Sequence, residues 1–126
     1  MTDFVSFLLK KVYNPKTILQ DNIDQALDLA IKDVHFPTLT KQEIINRIQS
    51  NSNELAIFLY RLGNLLVHKE RLDEVSQIHW LLKELCSCEI YFNTNIDVGF
   101  YIVHGQGTVI GSRNIIGKGF KIHQGC

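Results

Sequence analysis

The sequence predicts an α+β fold, with an all-helical N-terminal domain over residues 1–88 and the first coils of a parallel β-helix over residues 89–126. Three observations predict it. In the first two thirds, apolar residues recur three and four positions apart, which gathers them on one helical face. Residues 96–126 instead repeat every six residues, a beat that suits neither a helix nor an ordinary amphipathic strand. It suits a hexapeptide solenoid, in which short strands and turns wrap into a prism. Seven of the eight glycines punctuate that same stretch, from Gly99 to Gly125, where turns call for conformations that a side chain makes costly.

The elements follow in order. A short helix is predicted over residues 3–12. Pro15 suits the opening turn of a second, where its missing N–H costs little. Ile23, Leu27, Ile31 and Val34 mark the inner face of that helix, and Pro37 ends it. Thr40 and Glu43 have capping-box spacing and open a third helix with Ile44, Ile45 and Ile48 inward. Asn53 is predicted to cap a fourth, whose buried side carries Leu55, Phe58, Leu59, Leu62 and Leu66. A fifth runs from about Leu72 to Leu85 on a stripe of Val75, Ile78, Leu82 and Leu85. Residues 87–95 lead into the coils. There Val98, His104, Ile110, Ile116 and Ile122 share one register, and Ile96, Ile102, Thr108, Asn114 and Phe120 share another. Ile110, Ile116 and Ile122 are expected inside the prism, since exposing an aliphatic side chain forfeits about 1.5–3 kcal/mol.

Composition narrows the function. Thirteen basic and thirteen acidic residues balance, so no broad field draws nucleic acid or an anionic membrane. No apolar run approaches a membrane span. Lys10 and Lys11 follow the apolar N-terminal residues instead of preceding them, unlike a signal peptide. Cys86, Cys88 and Cys126 make a poor disulfide framework and an incomplete metal site. The expectation is a reduced, cytoplasmic protein without metal. His35, His68 and His79 are assigned to solvent or local hydrogen bonds, and His123 to a surface or interface. Trp80 is expected to be a packing anchor, and Cys86 and Cys88 to close the last helix.

Several motifs in residues 89–126 are more specific than the period. They are Glu89-Ile90, then Phe100-Tyr101-Ile102-Val103-His104-Gly105, then Gly107-Thr108-Val109-Ile110-Gly111, and last Ile122-His123-Gln124-Gly125. With helices ahead of them, they resemble the serine acetyltransferase family across this stretch without a gap. Tyr60-Arg61-Leu62-Gly63-Asn64-Leu65-Leu66 is similar to a helix of the same family, with Asn64 where His is usual. The resemblance implies a left-handed β-helix, acetyl-CoA as co-substrate, and a small-molecule acceptor bearing a hydroxyl group. It also implies a homo-oligomer, either a trimer or a dimer of trimers, with active sites between neighbouring prisms.

It implies site residues as well. An acceptor hydroxyl is a weak nucleophile near neutrality, and a base must take its proton as it attacks the thioester. Histidine suits that task, and His104 matches the family's catalytic base. Glu89 holds the position of the family's Asp that orients the imidazole. Backbone N–H groups near Gly105 and Gly107 are expected to help hold the developing oxyanion. Arg61 either faces the site or braces helices. Val103 stands where the serine enzymes place an Asp that helps hold the amino acid, which weakens serine as acceptor. The family's helical Asp-Pro-Ala segment has no clear match. The chain ends at Cys126 in mid-coil, where the family continues into coils that supply the acetyl-CoA groove and a second His. Residues binding the co-substrate are therefore expected beyond Cys126, and the chain is read as truncated. The leading expectation is a serine O-acetyltransferase acting in cysteine synthesis. The alternatives are a sugar O-acetyltransferase of surface polysaccharide synthesis and a non-catalytic oligomerisation module.

Overall fold

A computed structural model of the chain describes residues 1–34 and 38–123. Five helices come first: α1 (Thr2–Leu9), α2 (Gln20–Asp33), α3 (Lys41–Ser50), α4 (Ser52–His68) and α5 (Leu72–Cys86). Six two-residue strands follow: β1 (Glu89–Ile90), β2 (Asn95–Ile96), β3 (Tyr101–Ile102), β4 (Val109–Ile110), β5 (Ile115–Ile116) and β6 (Lys121–Ile122). The predictions on His35, Pro37, Gln124, Gly125 and Cys126 lie outside the described residues.

The helix starts show what local chemistry decides. Thr40 and Glu43 do form a reciprocal capping box at the head of α3, satisfying two N–H groups that the helix itself leaves free. Pro15 does not open α2. Residues 15–19 run outside any helix, and the Gln77 side chain of α5 brackets Lys16, accepting from its N–H (2.9 Å) and donating to its carbonyl (2.8 Å). This pairing across the fold outweighs the weak local preference of proline for a first turn. The cap of α4 is Asn51, whose side chain accepts from the Asn53 N–H. Asn53 itself is used elsewhere. Trp80 is 45% exposed and is not the packing anchor expected of it; Ile78, Leu81 and Leu82 fill that part of the core.

The strands pair in parallel as β1 with β4, β2 with β5 and β3 with β6. Glu89 pairs with Val109, Asn95 with Ile115 and Tyr101 with Lys121, so one coil takes twenty residues. Three six-residue steps would take only eighteen, and the surplus has one location. Six residues separate Ile90 from Ile96 and Ile96 from Ile102, but eight separate Ile102 from Ile110. This corrects the predicted register. Ile90, Ile96 and Ile102 line the first coil, and Ile110 and Ile122 lie buried above Ile90 and Ile102, with Ile116 half-buried between them. Val98 is half-buried and His104 exposed, so neither belongs to the inward file. A uniform six-residue count carries the wrong residues inward because parallel pairing, not the average period, sets which positions stack.

Helices and coils share one hydrophobic core. Phe100 lies at its centre, edge-on to Tyr60 (5.7 Å between ring centroids) and stacked on Phe120 of the next coil (6.1 Å). One polar stripe of α4 fastens the helices to the first coil. Tyr60 donates to the Thr94 carbonyl (2.6 Å) and accepts from the Ile96 N–H (3.0 Å). Asn64 donates to the carbonyls of Phe92 (2.8 Å) and Thr94 (3.2 Å). His68 meets the Asn95 side chain at 2.7 Å. Such bonds satisfy carbonyls that short strands leave unpaired in the interior.

Candidate functional site

The eight-residue step forms the corner between β3 and β4, and His104 stands on it. Its imidazole is exposed and makes no hydrogen bond among the described residues. The backbone on both sides is tightly held. Asn53, from the first turn of α4, donates through Nδ2 to the Val103 carbonyl (2.9 Å) and accepts at Oδ1 from the Gly105 N–H (2.9 Å). Gly107 donates its N–H to the Ser87 carbonyl (2.8 Å), and Glu89 donates to the Thr108 carbonyl (2.9 Å). Gly105 is buried, and a Cβ there would approach Ile102 Cγ2 to 2.9 Å. Only glycine lets the chain pass this close to the prism wall.

These bonds narrow one expectation. Backbone N–H groups near Gly105 and Gly107 are expected to help hold an oxyanion, and those of Gly105 and Gly107 themselves are bonded to Asn53 and Ser87. A donor already bonded inside the protein is not free for a developing charge. Gly105 therefore supports the corner and offers no backbone donor to substrate. Val103 is half-buried, with its carbonyl turned to Asn53.

Glu89 lies on β1, beside the same corner. Its carboxylate is 3.3 Å from Lys83 Nζ and 3.8 Å from His79 Nε2, both on α5, and it also bonds Tyr91. The Tyr91 and Lys83 bonds hold its pKa below the ordinary 4.5. The structure thus pairs Glu89 with the end of α5 and shows no contact between its carboxylate and His104. A lowered folded-state pKa means that this arrangement contributes stability above the unfolded-state value and loses it as pH falls through the folded one. In an acid titration of stability, Glu89→Gln should remove a protonation step below pH 4.5. Identical acid limbs for the two proteins would refute the linkage.

A cleft of about 400 Å³ opens beside the corner, and Lys83, Ser87, Glu89, Gly107 and Val109 help to line it. A larger groove, about 520 Å³, lies between residues 11–16 and α5, and none of the candidate residues lines it.

Arg61 is placed as a brace. It is buried and pairs with Asp33 at the end of α2 (2.6 and 2.8 Å), and it donates to the carbonyls of Ile96 (2.5 Å) and Asp97 (3.1 Å). Its nitrogens are spent on these partners, which argues against substrate contact. Asp33 also accepts from the N–H groups of Gly99 (2.9 Å) and Phe100 (3.1 Å). Burial pushes the Asp33 carboxyl upward, while Arg61, Phe100 and Gly99 pull it back. Next to Asn53, the buried Glu54 takes Arg47 (2.7 Å) and the Tyr101 hydroxyl (3.2 Å) on one oxygen. Cys86 and Cys88 are buried, and burial raises their pKa to about 12 and about 11. They are inert thiols at neutral pH.

Sequence reasoning missed Asp33, Tyr60 and Asn64 as fastening residues and gave Asn53 the wrong task. One signal was available. Asn53, Tyr60, Arg61, Asn64 and His68 recur at helical spacing along a helix that is otherwise almost wholly apolar. A polar stripe on a buried helix requires polar partners.

The fold belongs to a class in which helices precede a hexapeptide β-helix, here with a histidine on the wide corner of the first coil. Among solved structures, the chain is similar to the serine acetyltransferase of Neisseria gonorrhoeae, at 17% identity and a TM-score of 0.62, over 98% of this chain and 46% of that one. It is likewise similar to a serine O-acetyltransferase from Brucella melitensis, at 16% identity and a TM-score of 0.64, over 98% and 47% of the two chains. A serine acetyltransferase solved with CoA matches at 16% identity and a TM-score of 0.66, over 98% and 49%. The Neisseria gonorrhoeae enzyme has also been solved with serine. At such identities the likeness establishes the fold. The chain spans about half the length of these structures. No protein-family model matches it, and no curated protein matches it. Among the described residues, no helix is long and apolar enough to cross a membrane, and no three His, Cys, Asp or Glu side chains group as metal ligands.

Proposed function

We propose that this chain is the helical and early β-helical part of an acetyl-CoA-dependent O-acetyltransferase, with serine as the leading acceptor. The observation that carries the reading is the exposed His104 on the wide corner of a fold shared with serine acetyltransferases. His104 takes the proton from the acceptor hydroxyl as its oxygen attacks the thioester carbonyl. The new C–O bond forms, the C–S bond breaks, and the imidazolium returns the proton to the CoA thiolate. Glu89 places a negative charge on the strand beside that corner, and its carboxylate must leave Lys83 and Tyr91 to reach the imidazole. The oxyanion donors and most of the co-substrate groove belong to later coils in this reading. Exposed Val109 and Ile115 on the outer faces of β4 and β5 favour a homo-oligomer packed coil to coil. We place the protein in the cytoplasm, with no metal.

Val103 favours a second reading, a sugar O-acetyltransferase, because an apolar residue beside the base offers an ammonium group no counter-charge. Thiol release from acetyl-CoA by the full-length protein, followed with serine and with a panel of sugar nucleotides and glycans, separates the two. Serine turnover, improved by Val103→Asp, is the expected result. Turnover of sugars alone would replace the first reading by the second. No release with any acceptor of either class would overturn both and favour the non-catalytic module.

A further inference from the structure

We infer that Asn53 is a positioning residue for His104, an inference that rests on reading His104 as the general base. The carboxamide grips both peptides that flank His104. The donor end meets the Val103 carbonyl and the acceptor end meets the Gly105 N–H, each at 2.9 Å. The two demands are opposite, so they fix which end of the amide is oxygen and which is nitrogen. The two bonds bridge 50 and 52 positions of sequence, from the first turn of α4 to the β3–β4 corner.

Asn53 is well placed to act as a clamp. Its own N–H is tied to the Asn51 cap (2.9 Å), so the clamp starts from a fixed helix end. The neighbouring Glu54 pins Tyr101 at the near end of the same segment. On the far side, Gly107 is tied to Ser87 (2.8 Å). His104 is thus left as an exposed side chain on a backbone held before, beside and after it. A surplus of two residues in a solenoid corner would otherwise be a slack loop. A slack loop would spread the imidazole over many positions, and a misplacement of about 1 Å can cost on the order of 10²-fold in rate. The amide is needed because the task takes one donor and one acceptor. Aspartate would keep the acceptor for Gly105 but set a carboxylate against the Val103 carbonyl.

The test combines amide hydrogen exchange with kinetics on the full-length protein as wild type, Asn53→Ala, Asn53→Asp and His104→Ala. In Asn53→Ala, Gly105 exchange should quicken by roughly tenfold or more, as expected for loss of a hydrogen bond of about 1.5 kcal/mol. Gly119, bonded to the Val98 carbonyl at 3.0 Å, should keep its protection. Asn53→Asp should protect Gly105 better than alanine does. In the kinetics, Asn53→Ala should lower kcat by about 10–10²-fold and leave the KM for acetyl-CoA near its wild-type value. Unchanged Gly105 exchange overturns the clamp whatever the turnover. Loss of Gly119 protection together with Gly105 overturns it too, because the role would then be general stability. Full activity of Asn53→Ala with an inactive His104→Ala defeats the inference and leaves the base standing. An active His104→Ala, or an inactive wild type, defeats the base and the inference that rests on it.

Discussion

In the full-length protein, replacing His104 by alanine should lower the turnover of acetyl-CoA by about 10²–10⁴-fold, the usual contribution of a general base. The effect should fall on kcat. Acetyl-CoA binding should change little, because the proposed reading assigns the co-substrate groove mainly to later coils. The fold should survive, since the His104 ring is exposed and bonded to nothing among the described residues. A matching unfolding midpoint beside the lost rate would establish that chemistry, not structure, was removed. Glu89→Gln should do less harm, because its carboxylate engages Lys83 and Tyr91 at rest. Full activity in His104→Ala would sink the mechanism.

The largest stability effect is expected at Asp33. Asp33→Ala should destabilise the protein by about 3–5 kcal/mol, because it leaves the Arg61 charge buried and uncompensated. It also strips the Gly99 and Phe100 N–H groups of their acceptor. Against a total stability of about 5–15 kcal/mol, such a loss brings the chain close to unfolding. Denaturant titration would read it as a lower midpoint at unchanged slope. Adding Arg61→Met should recover part of the loss by removing the stranded charge, the coupling expected of residues in contact. A loss below 1 kcal/mol for Asp33→Ala would show that water reaches the pair.

Much of this architecture was legible in the residues. Apolar spacing located the four helices from α2 to α5, and the Thr40–Glu43 box marked its helix start to the residue. The beat of glycines and aliphatics announced the coils. Two kinds of information were illegible for physical reasons. The wide corner hides in the period, because a two-residue surplus leaves the glycine rhythm intact while taking Val98 and His104 out of the file that Ile110, Ile116 and Ile122 keep. The pairing of distant groups was equally hidden. Asn53 fits the local chemistry of a cap, and only the folded chain shows that Asn51 takes that post and releases Asn53 for the corner. Arg61 could be placed on its helix, but its choice between bracing and substrate was made by Asp33, on a helix whose charged residues all looked alike in sequence.

The way α4 grips the coil has a consequence for how such a protein can change. Tyr60, Arg61 and Asn64 reach for the main-chain carbonyls of Phe92, Thr94, Ile96 and Asp97, and Asn53 does the same at Val103. A carbonyl is the same group whatever side chain hangs beside it. Mutation can therefore rewrite the outward faces of the coil, Val103 among them, without loosening the grip. The scaffold remembers its shape through the backbone, and its exposed side chains are left free to try new acceptors.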